Sequence, residues 1–434
     1  MSPIDIENGA ALSIRIKIAD HCQLTFNNKS KELSVESTLS RYHLKTEREA
    51  LRGDLDEFQK SFVAQEQPPL RNVSEALGRL HLRGRTILRR LFGSEEKLME
   101  ARDMCREACP NWHQPGWDPA SLAPRLIEVR TAVDYGIPID LLPLLDPLKP
   151  AQAETMDDLA RSAATLLGFS GIVRRTLGDT PDDRRLRIEN TDSLPLKMFW
   201  DGSLPGARRA RKFFEENAAH FDTKGGPWPD GTESSDDSTF CEAVADYLAD
   251  PDTSFDRAAH HKSDQLCYFF CHCDTAAANP DDYVIYLSDG KILSRRHGVK
   301  LQYLTDGLSQ HNLRNLDSGR KTGPRPLIFL NACGGAVLDP MAAASFPKLF
   351  LPETMGFMGF IGTEATVPDW FGSMFAEVFF RHFVGGLQLG HALHAARWHM
   401  LRKYRSPLGI LYTLYADPEI EVRNKVTNLR ELLS

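Results

Sequence analysis

From Leu12 onward apolar and polar residues alternate: Leu12, Ile14, Ile16 and Ile18 are separated by Ser13, Arg15 and Lys17, and Cys22, Leu24 and Phe26 repeat the period of two. Successive side chains of a strand point to opposite faces, so this pattern predicts two strands in the first 30 residues, with a turn at Asp20 and His21. From Thr38 the spacing becomes that of a helix. Leu39 to Val63, Val73 to Phe92 and Glu95 to Ala108 are charged, proline-free and periodic, with Ser94 expected to cap the third helix and Asn72 the second. The following segment, Cys109 to Asp118, holds two prolines, a glycine and two tryptophans and reads as an irregular connection.

Beyond it the pattern is mixed. Apolar runs at Leu194 to Trp200, Gln265 to Cys271, Tyr283 to Leu287 and Leu327 to Leu330 alternate with helical stretches at Ala207 to Ala219, Phe240 to Leu248 and Phe371 to Phe383. Strands separated by helices predict an α/β fold with a mostly parallel sheet flanked by helices. Asp222 to Ser238, poor in apolar residues, reads as a surface loop. Two regions are expected: a small β-hairpin and helical region at 1–115, regulatory in character, and the α/β unit at 116–434.

Composition narrows the class. In 434 residues, 42% are hydrophobic and 26% charged, which suits a soluble globular chain of two or three domains and excludes wholesale disorder or a coiled-coil rod. A net charge of −7 argues against nucleic acid as the main partner, so the basic clusters at Arg83, Arg85, Arg89 and Arg90 and at Ala207 to Lys212 read as solvated helix faces. No G-x-x-x-x-G-K-[ST] phosphate loop occurs. Eight scattered cysteines predict a reducing compartment. Pro326 to Leu338, among the longest charge-free apolar runs, is too short to span a bilayer, and MSPIDIENGA lacks the basic and apolar regions of a signal peptide. Cytoplasm is the expected location, with no membrane partner.

In open parallel sheets reactive groups lie beyond the carboxyl ends of strands. One buried run, Gln265 to Cys271, is followed by His272, Cys273 and Asp274; another, Leu327 to Leu330, by Asn331, Ala332, Cys333, Gly334 and Gly335. An imidazole and a thiol at neighbouring strand ends can hydrogen-bond, letting the histidine generate a nucleophilic thiolate, while the two glycines leave room for a substrate backbone. Taken alone, the residues fit a satisfied histidine and a small buried thiol better than a dyad. Cys105, Cys109 and His113 lack a fourth ligand at matching spacing. In the cluster Cys267, Cys271, His272 and Cys273, strand alternation sends the histidine to the opposite face. No metal or other cofactor is therefore expected.

The order of His272, Tyr283 to Gly290, Leu301 to Leu308 and Leu330 to Gly335 resembles the CHAT family, caspase-like cysteine peptidases related to separases and caspases. Gly362-Thr363, Val367 to Asp369, Gly390 to Arg397 and Leu414 to Pro418 resemble the family's closing segments, and the likeness runs from about Asp118 to Val422. It implies a caspase-like sheet and a cysteine endopeptidase in which His272 is general base and Cys333 the nucleophile that forms a thioacyl intermediate. The oxyanion would be held by the backbone N–H groups of Cys333 and Cys273. Members usually carry glycine where this chain has Cys273, so that segment is expected to differ or be strained. The substrate pocket would be lined by Asp201, Asp274, Glu364 and Asp369, acids that favour a basic side chain before the cut. The family's use in bacterial conflict suggests a protein partner, such as a gasdermin-like pore former, activated by one cut. A catalytically weak scaffold on the same fold and a metal-binding regulatory protein are the competing readings.

Overall fold

A computed structural model describes residues 10–18, 21–37, 39–62, 67–112, 124–131, 138–147, 153–177, 187–189, 193–223, 226–231, 239–240, 243–244, 266–276, 279–294, 325–332 and 357–423. The N-terminal alternation becomes β1 (Leu12–Ile18) and β2 (Cys22–Asn27), extended by a further antiparallel strand, β3 (Glu32–Glu36). Leu12, Ile14 and Ile16 are buried while Arg15 and Lys17 face solvent, as a period of two requires. Three helices follow, α1 (Arg41–Lys60), α2 (Leu70–Phe92) and α3 (Glu95–Ala108). Ser94 caps α3, its hydroxyl accepting the Lys97 N–H at 3.4 Å. Asn72 caps nothing: α2 starts at Leu70, and the Asn72 N–H already donates to the Pro69 carbonyl at 3.0 Å. The basic face of α2 is partly answered within the chain, since Arg83 pairs with Asp54 and Arg90 with Glu47, both on α1.

The remaining elements are β4 (Leu126–Thr131), α4 (Met156–Ala164), α5 (Leu167–Ser170), β5 (Ile172–Leu177), β6 (Arg187–Glu189), β7 (Leu194–Trp200), α6 (Pro205–Glu216), β8 (Phe221–Asp222), β9 (Pro227–Trp228), β10 (Leu266–Phe270), β11 (His272–Ala276), β12 (Asn279–Tyr286), β13 (Ile292–Ser294), β14 (Arg325–Asn331), β15 (Phe357–Thr363), α7 (Asp369–Val384), α8 (Leu389–Tyr404), β16 (Tyr412–Ala416) and β17 (Glu421–Arg423). The predicted loop over 222–238 thus contains β9, which pairs with β7. Of the helix expected at 240–248, residues 240, 243 and 244 are described, all helical.

Twelve strands form one sheet in the order β3-β2-β1-β4-β5-β16-β15-β14-β10-β7-β8, with β9 also on β7. The pairs from β4 to β7 are parallel except β15 with β16, as the alternation of strands and helices predicts. β1 lies parallel to β4, so a boundary at 115/116 falls between strands of a single sheet, and one apolar core runs from Leu12 to Val422. Helices α6 and α7 cover one face of the central strands. There Phe214 and Phe380 set their rings edge-on to Tyr268, and Phe379 lies against Phe329 at 5.1 Å. On strand residues of opposite parity Phe199 stacks on Phe269 at 4.4 Å. Every residue of β10 and β15 is buried, the signature of strands covered on both sides.

Candidate active site

Three parallel neighbours, β7, β10 and β14, end level with one another, because Trp200 pairs with Phe270 and Phe270 with Asn331. Two further hydrogen bonds carry the pairing past these residues. Asp201 N–H donates to the Phe270 carbonyl at 2.8 Å, and Cys271 N–H to the Asn331 carbonyl at 3.4 Å. Here the chain leaves the main sheet: His272 opens β11, which pairs antiparallel with β12, His272 opposite Tyr286. His272 is exposed between buried Cys271 and Cys273, so the imidazole alone of the three side chains faces out. Ala332 is the last described residue after β14; Cys333, Gly334 and Gly335 lie outside the described residues.

The segment after the histidine is unstrained. Cys273 pairs with Ile285, and among the described residues the non-glycines with positive φ are Asp289 and Arg405. An extended backbone suits any side chain, so cysteine stands there without the cost that a left-handed turn would impose.

The four acids occupy different surroundings. Asp201 follows β7 and accepts the Ser203 N–H at 2.9 Å, a local turn. Asp369, the first residue of α7, accepts the Gly206 N–H at 2.7 Å through Oδ2, while its Oδ1 is buried without a hydrogen-bond partner among the described residues. Gly206 must be glycine for this contact. A Cβ there would stand 2.6 Å from the Asp369 carbonyl oxygen and Oδ1 and 2.7 Å from the Phe270 ring. Burial raises the Asp369 pKa above the usual carboxylate value, against the lowering effects of the Gly206 N–H, His272 and Arg208, while Asp201 adds to the rise. Asp369, Asp201 and His272 therefore share one electrostatic neighbourhood. Asp274 pairs with Val284 in β11, its side chain outside the described residues.

Glu364 belongs elsewhere. It is buried, bound to Arg175 at 2.6 Å and to the Thr413 hydroxyl at 3.1 Å, and Arg175 also holds Asp140. A carboxylate already paired with a buried guanidinium is not open to a substrate cation.

This chain is 31% identical over 157 residues to a probable protease of Vitiosangium sp. (strain GDMCC 1.1324), a match covering 35% of this chain and 18% of that protein. The match thus spans less than a fifth of that relative's length, 18% of it. No family model matches the chain. Among solved structures, the Saccharomyces cerevisiae separase–securin complex is 10% identical with a TM-score of 0.44, covering 95% of this chain and 30% of that one. A second, described as a protease, is 10% identical with a TM-score of 0.39, covering 76% and 69%.

Asn331 and Thr363, which the sequence reading names only as neighbours within motifs, hold the strand ends through side-chain hydrogen bonds. Asn331 is buried at 3% exposure, with Nδ2 donating to the Tyr268 hydroxyl at 3.1 Å and Oδ1 accepting from the Tyr412 hydroxyl at 2.7 Å. The Thr363 hydroxyl donates to the Ala332 carbonyl. The available signal was a polar residue closing an otherwise apolar run, Asn331 after Leu327 to Leu330 and Thr363 after Phe357 to Gly362. His391 and His399 are half-buried, and among the described residues no group of three or more His, Cys, Asp or Glu could hold a metal ion.

Proposed function

We propose that the chain is a caspase-like cysteine endopeptidase in which His272 and Cys333 form the catalytic dyad. The observation that carries this reading is the register of β10 and β14. Phe270 and Asn331 pair at the ends of the two strands, and in the sequence His272 and Cys333 each follow one of these paired residues by two positions. The likeness to a probable protease supports it from sequence. His272 takes the proton from the Cys333 thiol, and the thiolate attacks the scissile carbonyl. Backbone N–H groups of Cys333 and Cys273 stabilise the oxyanion, the amine leaves with a proton from the imidazolium, and water hydrolyses the thioacyl bond.

The carboxylates favour a basic residue before the cut. Asp369 is a half-buried carboxylate, its Oδ1 buried without a hydrogen-bond partner among the described residues, in the electrostatic reach of His272 and Asp201, and Asp274 follows His272 by two residues. A guanidinium would supply the missing partner of Asp369 Oδ1. Glu364, engaged by Arg175, takes no part. The substrate is a protein partner cut at one site, and a gasdermin-like pore former is the first to assay.

Fluorogenic peptides ending in Arg, Lys, Asp or Leu test the reading, together with proteins encoded nearby. Cleavage after Arg or Lys that falls by roughly 10³-fold or more in both Cys333→Ala and His272→Ala is expected. Equal cleavage by wild type and Cys333→Ala would sink the dyad, and preference for Asp would sink basic specificity.

A further inference from the structure

The end of β14 is fastened far more heavily than a strand end needs to be. Backbone pairing to β10 runs to its last residue, where the Asn331 carbonyl receives the Cys271 N–H. The Asn331 side chain then spans the core-facing layer, donating to Tyr268 on β10 and accepting from Tyr412 on β16. Helix α7 closes over it at Gly372, where a Cβ would lie 2.9 Å from Asn331 Oδ1 and 3.0 Å from Nδ2. One residue on, the Ala332 carbonyl receives the Thr363 hydroxyl of β15. Two successive residues are thus hydrogen-bonded to β10, β15 and β16 immediately before Cys333.

These bonds have a cost that packing alone would avoid. A buried carboxamide and three buried hydroxyls each lose water on folding, and apolar residues of the same shape would fill the volume without that loss. What the polar set adds is direction. An amide with both ends occupied, and a carbonyl held by a neighbouring hydroxyl, have one orientation each. The same Asn331 also touches the segment leading to His272, through the Cys271 N–H.

Given the Cys333–His272 dyad proposed above, we propose that Asn331 and Thr363 are positioning residues: together they set the direction in which the chain leaves β14 and thereby the distance of the Cys333 thiol from the His272 imidazole. Neither touches substrate. Thr363 aims the Ala332 peptide, and Asn331, held between Tyr268 and Tyr412, fixes the strand end relative to β10. Nucleophile and base separated by an extra ångström lose the hydrogen bond that generates the thiolate, which is worth roughly 100-fold in rate.

The test uses the full chain and isosteric variants that delete one hydroxyl each, Thr363→Val and Tyr412→Phe, with Thr363→Ser restoring the hydroxyl. Two readouts are followed beside the thermal midpoint. One is the rate of alkylation of Cys333 by iodoacetamide against pH, read by mass spectrometry at that residue. The other is the split of kcat from KM on the best peptide of the panel. Positioning predicts that in Thr363→Val and Tyr412→Phe the alkylation profile moves toward the higher pH of an unassisted thiol and kcat falls roughly 10- to 100-fold at unchanged KM. Thr363→Ser should recover both. Wild-type alkylation profile and kcat in both deletion variants overturns the proposal, as does a loss proportional to the fraction unfolded or one that Thr363→Ser fails to restore. Wild-type cleavage by Cys333→Ala refutes the dyad itself, a different result from an intact dyad that is indifferent to Thr363.

Discussion

At the scale of single residues, the decisive feature is how differently the carboxylates are satisfied. Glu364 shares a buried guanidinium with Asp140 through Arg175, whereas Asp369 keeps one oxygen without a partner among the described residues beside His272. Both follow apolar runs in sequence, and nothing in either run says which one will meet an arginine from β5, 189 residues distant from Glu364. The contrast yields a specificity prediction. In Asp369→Asn the side-chain amide oxygen can still accept from Gly206, so the start of α6 stays in place, but the negative charge is gone. Cleavage of Arg peptides should fall roughly 10- to 100-fold in kcat/KM, with Leu peptides little affected. An unchanged Arg-to-Leu ratio in the two enzymes would exclude Asp369 from the pocket.

At the scale of elements, α8 shows how a helix that reads as ordinary becomes a structural pin. Arg397, buried, donates to the carbonyls of Gly168, Gly409 and Tyr412, and so joins α8 to the segment before β16 and to α5. His394, one turn earlier, hydrogen-bonds the Phe169 carbonyl at 2.9 Å. Burial, reinforced by Arg397 and His391 and opposed by the Phe169 carbonyl, lowers its pKa to about 3. Burial and His399 likewise lower His382 on α7 to about 4. Both are neutral in the fold, while the unfolded chain protonates them near their ordinary 6.5. The unfolded state then binds more protons, so stability is full above pH 6.5 and declines as pH drops toward 4 and 3. Urea midpoints should be level from pH 7 to 8 and decline below 6.5, each histidine contributing up to about 1.4 kcal/mol per pH unit. His394→Gln should flatten the decline; a slope identical to wild type would show that other groups govern it.

At the scale of the whole molecule, the N-terminal strands and helices are part of the architecture that carries the candidate site. β1 pairs with β4, α3 packs on β1 and β3, and Trp370, the neighbour of Asp369, donates its indole N–H to the Phe62 carbonyl just past α1 at 3.1 Å. A fragment of residues 116–434 would expose the β4 edge and the apolar surface that β1 and α1–α3 cover. It should aggregate or lack a cooperative unfolding transition by calorimetry, and a monodisperse, cooperatively melting fragment would establish that the two regions fold independently. The sequence by itself determined what local periodicity encodes: the β1–β2 hairpin, the three N-terminal helices, the buried runs of β7, β10 and β14, and the position of His272 just past one run and Cys333 just past another. Those follow from side-chain alternation and helical spacing, which need no knowledge of neighbours. Only the tertiary structure decided that β10 lies between β7 and β14, that Asp369 meets Gly206 and the field of His272 while Glu364 meets Arg175, and that Asn331 and Thr363 fasten the strand end. Each joins residues far apart in the chain, and pairing at that range is chosen by the packing of the whole sheet rather than by any segment within it.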